Sequence, residues 1–345
     1  MGIIQRLSII LMVLIGCHHQ LMAQRADSTR WRPSFGVDYT SELQTDFKRT
    51  KFVNLLELHA DLPLSRHLSV NLSSISVATT DEEPLGNDLQ GFSNIDSWNK
   101  VFALSVAGLT WQVNDAHSLF AGLRRIDEDY FCSNALSFFA NCSCGGFPTI
   151  TYNYLIPTYP LSAVGLHYKY DHESLCLQAS VYNGVSNQDF TGRENVFRIN
   201  PEDDGVFALA QAEYRHHDSH YFLGGSLHNQ DILGLGKRKL RLSVWAYAEQ
   251  ALSSRLTLLA AYSHAFNDDA LCDNFYAIGG KYTFKRVELG IFSDHTRIAD
   301  IAEWATELAC NVTINDNISV QPMLHIMTTD GHTDCIGALR LNVSL

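Results

Sequence analysis

The chain has 345 residues, of which 46% are hydrophobic and only 18% charged, and its formal net charge is −12. A typical soluble chain carries about 25% charged residues, so charge is depleted here. The acidic balance and the absence of a basic stripe exclude nucleic acid as a partner. Aromatic residues make up 11% of the chain, a share that suits the aromatic girdles of a membrane barrel.

The N-terminus predicts a secretory signal peptide over residues 1–23. Arg6 precedes an apolar stretch, and the small Ala23 closes the segment at a cleavage site. A lipoprotein signal is the alternative, since cleavage before Cys17 would leave a lipidated cysteine as the first residue. After the signal peptide, no apolar run reaches the roughly 18 residues that a membrane-spanning helix needs. We therefore expect residues 24–345 to fold as an exported barrel.

Alternation of apolar and polar side chains recurs along the exported chain, as is typical of strands with one apolar face. Short connectors are predicted near residues 63–67, 114–117, 171–174, 216–219, 251–254, 284–286 and 315–317. Longer connectors are predicted near residues 41–51, 79–98, 127–159, 184–204, 229–238, 267–274, 294–301 and 328–334. Together they indicate an all-β fold, a transmembrane antiparallel β-barrel of sixteen strands. Counts of 14 or 18 strands are the alternatives, and a soluble sandwich or propeller shares the alternation.

The longest connector, residues 127–159, is expected to fold into the lumen. It contains Phe138, Phe139 and the sequence Gly-Gly-Phe-Pro at residues 145–148, which is too apolar for a solvated disordered loop. Long loops of this kind are usually functional or disordered. Packing against the inner wall of the barrel is therefore predicted.

Seven cysteines follow the signal peptide, and export makes disulfides chemically possible. Either all seven are reduced, or one loop disulfide joins Cys132 to Cys142 or Cys144. No metal site is expected, because these cysteines lack zinc-module spacing. The histidines of residues 216–220 lie at a predicted turn. The acidic pairs at residues 203–204 and 268–269 are the weak calcium candidates.

The strands after residue 200 carry charged, amide and aromatic side chains on the face opposite the apolar one. The residues predicted to line the lumen are Gln211, Glu213, Arg241, Trp245, Glu249, Glu303, Glu307 and Arg340. Any water-filled pore needs a polar wall with both charge signs. The same mixture also suits sugars, whose hydroxyls form hydrogen bonds and whose C–H faces stack on aromatic rings.

The chain ends inside a strand. Over residues 338–345, the odd positions are apolar, whereas Arg340 and its even-numbered neighbours are polar or small. A closed membrane barrel ends in this way because its last strand pairs with its first. The expected partner is the strand near residues 33–40, where Phe35, Val37 and Tyr39 supply a matching apolar face.

Several segments then form an ordered set. They are residues 122–131 (GLRRIDEDYF), 138–141 (FFAN), 145–148 (GGFP), 159–165 (YPLSAVG), 181–184 (VYNG), 247–250 (YAEQ) and 320–325 (VQPMLH). Together with Glu303, Glu307 and the Arg340 strand, this set resembles the carbohydrate-selective porins of Gram-negative outer membranes, the OprB-like family. The resemblance covers about residues 120–345 and implies a sixteen-stranded channel for sugar diffusion.

The resemblance also adds Arg124, Arg125 and Asp127 to the candidate pore-lining residues, with either arginine able to occupy the family's basic position. Two features depart from the family. The chain is short for it, so its loops are trimmed, and it ends in Leu345 where such barrels commonly end in phenylalanine.

These observations favour a passive porin of the Gram-negative outer membrane. Its partners would be outer-membrane lipid, small sugars and the barrel-insertion machinery, and a homotrimer is a possible assembly. A general porin without sugar preference is one alternative, and a plugged barrel that serves as a binding or structural module is another. No cofactor is expected and no enzyme activity, because GxSxG, HExxH and phosphate-loop motifs are missing from the sequence.

Overall fold

The alternating segments form one closed antiparallel barrel in the part of the chain that the structure describes, residues 32–190, 192–230 and 238–345. The structure is a computed structural model, and the predicted signal peptide (1–23) with Cys17 lies outside the described residues. The barrel has the predicted sixteen strands. They are β1 Ser34–Thr45, β2 Thr50–Pro63, β3 Leu68–Thr79, β4 Lys100–Gln112, β5 His117–Arg124, β6 Ala163–His172, β7 Leu175–Asn183, β8 Val206–His216, β9 Ser219–His228, β10 Arg241–Ala251, β11 Leu256–Ala265, β12 Asn274–Phe284, β13 Val287–Ile298, β14 Ile301–Asn315, β15 Ile318–Thr329 and β16 His332–Ser344.

The last strand closes the barrel on the first, as predicted. β1 and β16 pair from Asp38 opposite Ser344 to Thr45 opposite Gly337. Beyond the strand end, Val37 and Leu345 exchange backbone hydrogen bonds of 3.1 and 2.9 Å. The closure leaves no free strand edge, which is the condition for a β-structure to span a membrane.

The seven predicted short turns are all present, and we call their end of the barrel the short-turn rim and the other end the long-loop rim. Three connectors of the long-loop rim, predicted over residues 41–51, 294–301 and 328–334, are wrong in length. The structure reduces them to residues 46–49, 299–300 and 330–331.

For the two connectors of two residues, the physical reason is turn geometry. Ala299 and Asp300 have φ values of 47 and 73°, and Asp330 and Gly331 have values of 48 and 80°. Positive φ at both central residues is the pattern of a type I′ turn, whose twist matches that of paired strands. The strands therefore run on where looser loops were expected.

The outer face of the barrel is apolar, with exposed leucine and isoleucine side chains such as Leu223, Ile278 and Ile291. Exposed aromatic side chains lie towards both ends of the strands. At the short-turn rim they include Trp111, Tyr214, Tyr221 and Tyr282, and at the long-loop rim Phe52, Phe102, Tyr276 and Trp304. Two aromatic girdles around an apolar band are typical of outer-membrane barrels.

In residues 32–190, 192–230 and 238–345, helical structure is confined to single turns in the loops. They are the 3-10 turns Ile126–Glu128, Leu136–Phe138, Cys142–Cys144 and Gly192–Glu194, and the short helices α1 Pro148–Thr151 and α2 Pro201–Asp204. Among the described residues, no helix has the length and apolar character to cross a membrane.

Candidate functional site

Two loops from the long-loop rim fold into the lumen. We call residues 125–162, between β5 and β6, the inner loop, and residues 80–99, between β3 and β4, the second loop. The backbone N–H of Asn94 in the second loop donates to the carbonyl of Ala140 in the inner loop at 2.7 Å. The sequence predicted insertion of the inner loop, and the structure adds the second loop beside it.

The inner loop is anchored by aromatic side chains that pack against the barrel wall. Phe131 lies with its ring centre 5.2 Å from that of Trp245 on β10, and Phe147 stacks on Phe275 of β12 at 4.9 Å. All four rings are buried. This apolar contact removes the hydrophobic surface of the loop from water, which is the main stabilising term for such a segment.

Two wall carboxylates hold the inner loop through its backbone. Glu249 of β10 accepts the N–H groups of residues 135–136 at 2.7 and 2.9 Å. Glu307 of β14 accepts those of residues 140–141 at 3.0 Å. In both cases one carboxylate receives two consecutive N–H groups next to a 3-10 turn. Such charge-assisted hydrogen bonds are stronger than neutral ones.

The second loop is held in the same way. Glu303 of β14 accepts the N–H groups of Leu89 at 2.5 Å and Gln90 at 3.2 Å. Asp294 of β13 accepts the side-chain amide of Gln90 at 2.7 Å. Burial raises the pKa of Asp88 in this loop to about 6, with a further contribution from the charge of Glu303.

The residues predicted to line the lumen do point inward, but most are covered or paired. Those almost fully buried, at 5% exposure or less, are Gln211, Trp245, Glu249, Glu303 and Glu307. Arg241 pairs with Asp269 at 2.8 Å near the long-loop rim, and Glu213 lies 2.7 Å from a ring nitrogen of His220 near the short-turn rim. Glu249, Glu303 and Glu307 therefore position loops.

The open space between the two loops and β2 is a cavity of about 390 Å³. Its polar lining residues include Glu57, Asp96, Arg125, Asp127, Tyr152 and Tyr159. Of the candidate site residues, the cavity brings together Arg125 and Asp127. Asp96 and Tyr159 were not predicted. The apolar residues of the second loop, buried like those of the inner loop, are the signal that could have indicated its insertion.

Arg125 is the central group of the cavity and is only 6% exposed. Its Nη2 donates to Glu128 at 2.7 Å and to Glu57 at 3.3 Å, and its Nε lies 3.5 Å from a carboxylate oxygen of Asp127. Its guanidinium carbon is 5.8 Å from the ring centre of Tyr159. Among the described residues, Nη1 has no hydrogen-bond partner. Nη1 is thus a buried donor that no described residue uses, on a guanidinium beside the aromatic ring of Tyr159.

The electrostatics of the cavity are set by three carboxylates around one guanidinium. Burial by itself lowers the pKa of Arg125, but Asp127, Glu128 and Glu57 raise it above its ordinary value, so the guanidinium stays charged. Burial raises the pKa of Asp127 to about 6, although Arg125 opposes the rise. Above pH 6 the ionised Asp127 therefore adds one negative charge to the surroundings of Arg125.

The neighbouring arginine has a different role. Arg124 forms a two-pronged pair with Asp129, with N–O distances of 2.5 and 2.6 Å. Its guanidinium is therefore paired where β5 meets the inner loop, and Arg124 does not line the cavity. The structure places Arg125, the second arginine of the pair, at the open space.

The cysteines are all free in the described residues, so the disulfide from Cys132 to Cys142 or Cys144 does not form. Cys142 instead contacts the second loop, where its thiol donates to the carbonyl of Ser93 at 3.3 Å. Burial raises the pKa of the Cys142 thiol to about 12. Cys132 is more exposed than Cys142, and both cysteines line the cavity described above without being joined.

No group of three or more histidine, cysteine or acidic side chains within the described ranges is arranged to hold a metal ion. The acidic pairs considered for calcium have cationic partners. Asp269 pairs with Arg241 at 2.8 Å, and Asp204 pairs with Arg198 at 2.9 Å.

No protein-family model matches the sequence, and no curated protein matches it. Solved structures share its fold. The high-pH structure of Pseudomonas putida OprB is 16% identical, with a TM-score of 0.75 over 91% of this chain and 94% of that one. Salmonella typhi OmpF in complex with daunomycin is 12% identical, with a TM-score of 0.64 over 91% and 98%. The trimer form of Vibrio cholerae OmpT is 10% identical, with a TM-score of 0.61 over 91% and 99%. The fold is that of the outer-membrane porins, OprB among them.

Proposed function

We propose that this protein is an outer-membrane porin that lets carbohydrates and other small hydrophilic solutes diffuse passively across the membrane. The apolar outer face between two aromatic girdles fits a barrel surrounded by outer-membrane lipid. Export would use the predicted signal peptide over residues 1–23, and the barrel-insertion machinery would place the chain in the membrane. The porin fold supports this assignment and favours a channel over an enzyme.

The observation that carries the carbohydrate preference is the cavity around Arg125. A spare guanidinium donor, three carboxylate acceptors and the ring of Tyr159 lie within one small space. Sugars present donors and acceptors on every side, and their C–H faces stack on aromatic rings. A neutral polyhydroxy solute can therefore exchange its hydrogen bonds to water for hydrogen bonds to these groups.

The test is a current measurement on the purified protein in a planar lipid bilayer. We expect ion conductance, and a reduction of that conductance that grows with maltooligosaccharide concentration. A membrane that stays without current would overturn the transport proposal. A current that responds to the choice of salt but not to the sugars would instead support a general porin.

A plugged barrel that acts as a binding or structural module is the second candidate, and the two loops inside the lumen are the observation that favours it. The same current measurement separates the two functions. A protein that inserts and folds but never opens, with the inner loop protected from protease, would support the module.

A homotrimer is part of the proposal, since the trimer form of OmpT shares the fold. Chemical crosslinking of the protein in native membranes should give a ladder that ends at three copies. A ladder that never exceeds one copy would show that the barrel works alone.

A further inference from the structure

A second polar cavity of about 280 Å³ lies inside the barrel near the short-turn rim. One side is formed by Ser137 and Phe138 of the inner loop, and the other by residues of β12 to β16 that lie close to their short turns. Among the wall residues are Lys281, Glu288 and Asn311.

The second cavity has no net charge. Lys281 and Glu288 are the two ionisable residues of its lining, and their side chains pair at 3.2 Å. Lys281 is 6% exposed, and its ammonium group also donates to Asn134 Oδ1 at 2.9 Å. A balanced pair favours a neutral solute, because an anion or cation would have to compete with a partner already in place.

The cavity also contains groups suited to hydroxyls and to an apolar sugar face. Asn311 Oδ1 is buried and has no hydrogen-bond partner among the described residues. The half-buried ring of Phe138 borders the cavity, 5.6 Å from the ammonium nitrogen of Lys281. The wall approaches this ring closely at Gly290, where an added Cβ would lie 2.4 Å from the Phe138 ring. The ring therefore has a defined position.

The two cavities are neighbours, because Ser137 lines both of them. The first lies between the two loops and the middle of β2, and the second lies beyond the inner loop towards the short-turn rim. A solute that leaves the Arg125 cavity towards the short turns would next meet Phe138.

We propose that this second cavity binds one neutral sugar unit, with Phe138 beneath its C–H face and Asn311, Lys281 and Glu288 bonded to its hydroxyls. The inference rests on the proposed porin function and adds a second binding position on the short-turn side of the Arg125 cavity. Sugar would then be bound in two steps, and each step would depend on its own residues.

The test is maltotriose block of single-channel current, with channels inserted in one orientation and the sugar added to either side. For sugar added at the short-turn side, F138A and N311A should each shorten the residence time about threefold or more, as expected for loss of a stacking ring or a buried hydrogen-bond partner. The variant F138Y keeps the ring and should retain the wild-type residence time. Conductance without sugar, recorded on the same channels, shows that each variant is folded and open.

Unchanged residence times in both F138A and N311A would overturn the second site while leaving the porin proposal in place. A wild-type protein without current would overturn the porin proposal itself. In that case saturation-transfer NMR of maltotriose with the detergent-solubilised protein decides the site. A signal lost in F138A and kept in F138Y supports the site, and an equal signal in the two variants contradicts it.

Discussion

At the scale of single residues, the site depends on one guanidinium among carboxylates. Arg125 is buried, bonded to Glu128 and Glu57, and near Asp127, yet its Nη1 has no hydrogen-bond partner in the described part of the chain. Arg124 carries the same guanidinium group, but that group is already paired with Asp129. Adjacent residues of one type therefore have different roles because only one reaches the cavity.

Substitution R125Q should change both selectivity and sugar block. It removes the positive charge from three carboxylates, so the preference of the channel for cations over anions should increase. Loss of the charged donor should weaken maltotriose block by about 10-fold or more, since a hydrogen bond to a charged group contributes about 1.5–3 kcal/mol. Reversal potentials in a KCl gradient and block constants measure the two effects. R124Q is the matched control, and equal behaviour of the two variants would contradict the assignment.

The pKa of Asp127, about 6, predicts a pH-dependent selectivity. As pH falls through 6, Asp127 takes up a proton and the surroundings of Arg125 lose one negative charge, so cation preference should decrease. As pH rises above 6, the preference should return. Reversal potentials between pH 4.5 and 7.5 test this, and D127N should flatten the change. Asp88 has a similar pKa but lies outside the cavity lining, so D88N should keep the dependence.

At the scale of elements, the inner loop behaves as a wall lining held by carboxylates. Glu249 and Glu307 each receive two consecutive backbone N–H groups, and aromatic rings fill the space between them. These carboxylates were predicted to face the solute. In the structure these carboxylates lie behind the inner loop, and the loop presents its own residues to the cavity.

Substitution E307Q should loosen the inner loop without opening the barrel. The amide keeps one acceptor but places a donor against the N–H groups of residues 140–141, so a charged hydrogen bond is lost. We expect cleavage within residues 127–159 by added protease to become about 10-fold faster, together with a noisier current. The control is E213Q, because Glu213 pairs with His220 on the wall and forms no hydrogen bond to a described loop residue. Equal protection in both variants would contradict the role of Glu307.

At the scale of the whole molecule, closure depends on the seam between β1 and β16. Glu42 and Arg340 lie opposite each other across that seam, on the inner face, with Oε2 and Nε 2.6 Å apart. Glu42 is fully buried, and Arg340 also donates to Asn94 of the second loop at 2.9 Å. The seam thus connects strand closure to the position of a loop.

Substitution R340Q should destabilise the folded barrel by about 3–5 kcal/mol, because it leaves the buried carboxylate of Glu42 without a cation. The double variant E42Q/R340Q should recover much of that loss, since it removes both charges. Urea unfolding followed by tryptophan fluorescence measures the difference. The half-exposed pair of Lys169 and Asp171 supplies the control variant K169Q. A double variant as unstable as the single one would show that the seam does not depend on this pair.

The architecture was largely readable from the sequence. Period-two alternation is a property of each strand by itself. The position of each strand, the face on which each side chain lies and the number of strands therefore follow from the local sequence pattern. All seven short turns and the pairing of β1 with β16 were predicted correctly. The turn at residues 330–331 carries an Asp-Gly pair, a hairpin signal that could have shortened the predicted loop. Ala299 and Asp300 carry no such signal, and only pairing with neighbouring strands explains their positive φ.

The residue pattern alone specifies a closed sixteen-stranded barrel with a polar interior and an apolar exterior, because alternation acts over neighbouring residues. Which side chains face the interior space depends on how the loops pack against the wall. The tertiary structure brought the second loop into the lumen, placed Glu303 and Glu307 behind loops and selected Arg125 over Arg124. Those outcomes depend on contacts between residues as far apart as Gln90 and Glu303, or Ala135 and Glu249. Sequence periodicity relates only neighbouring residues, so it does not predict these contacts. They arise when the loops pack against the wall.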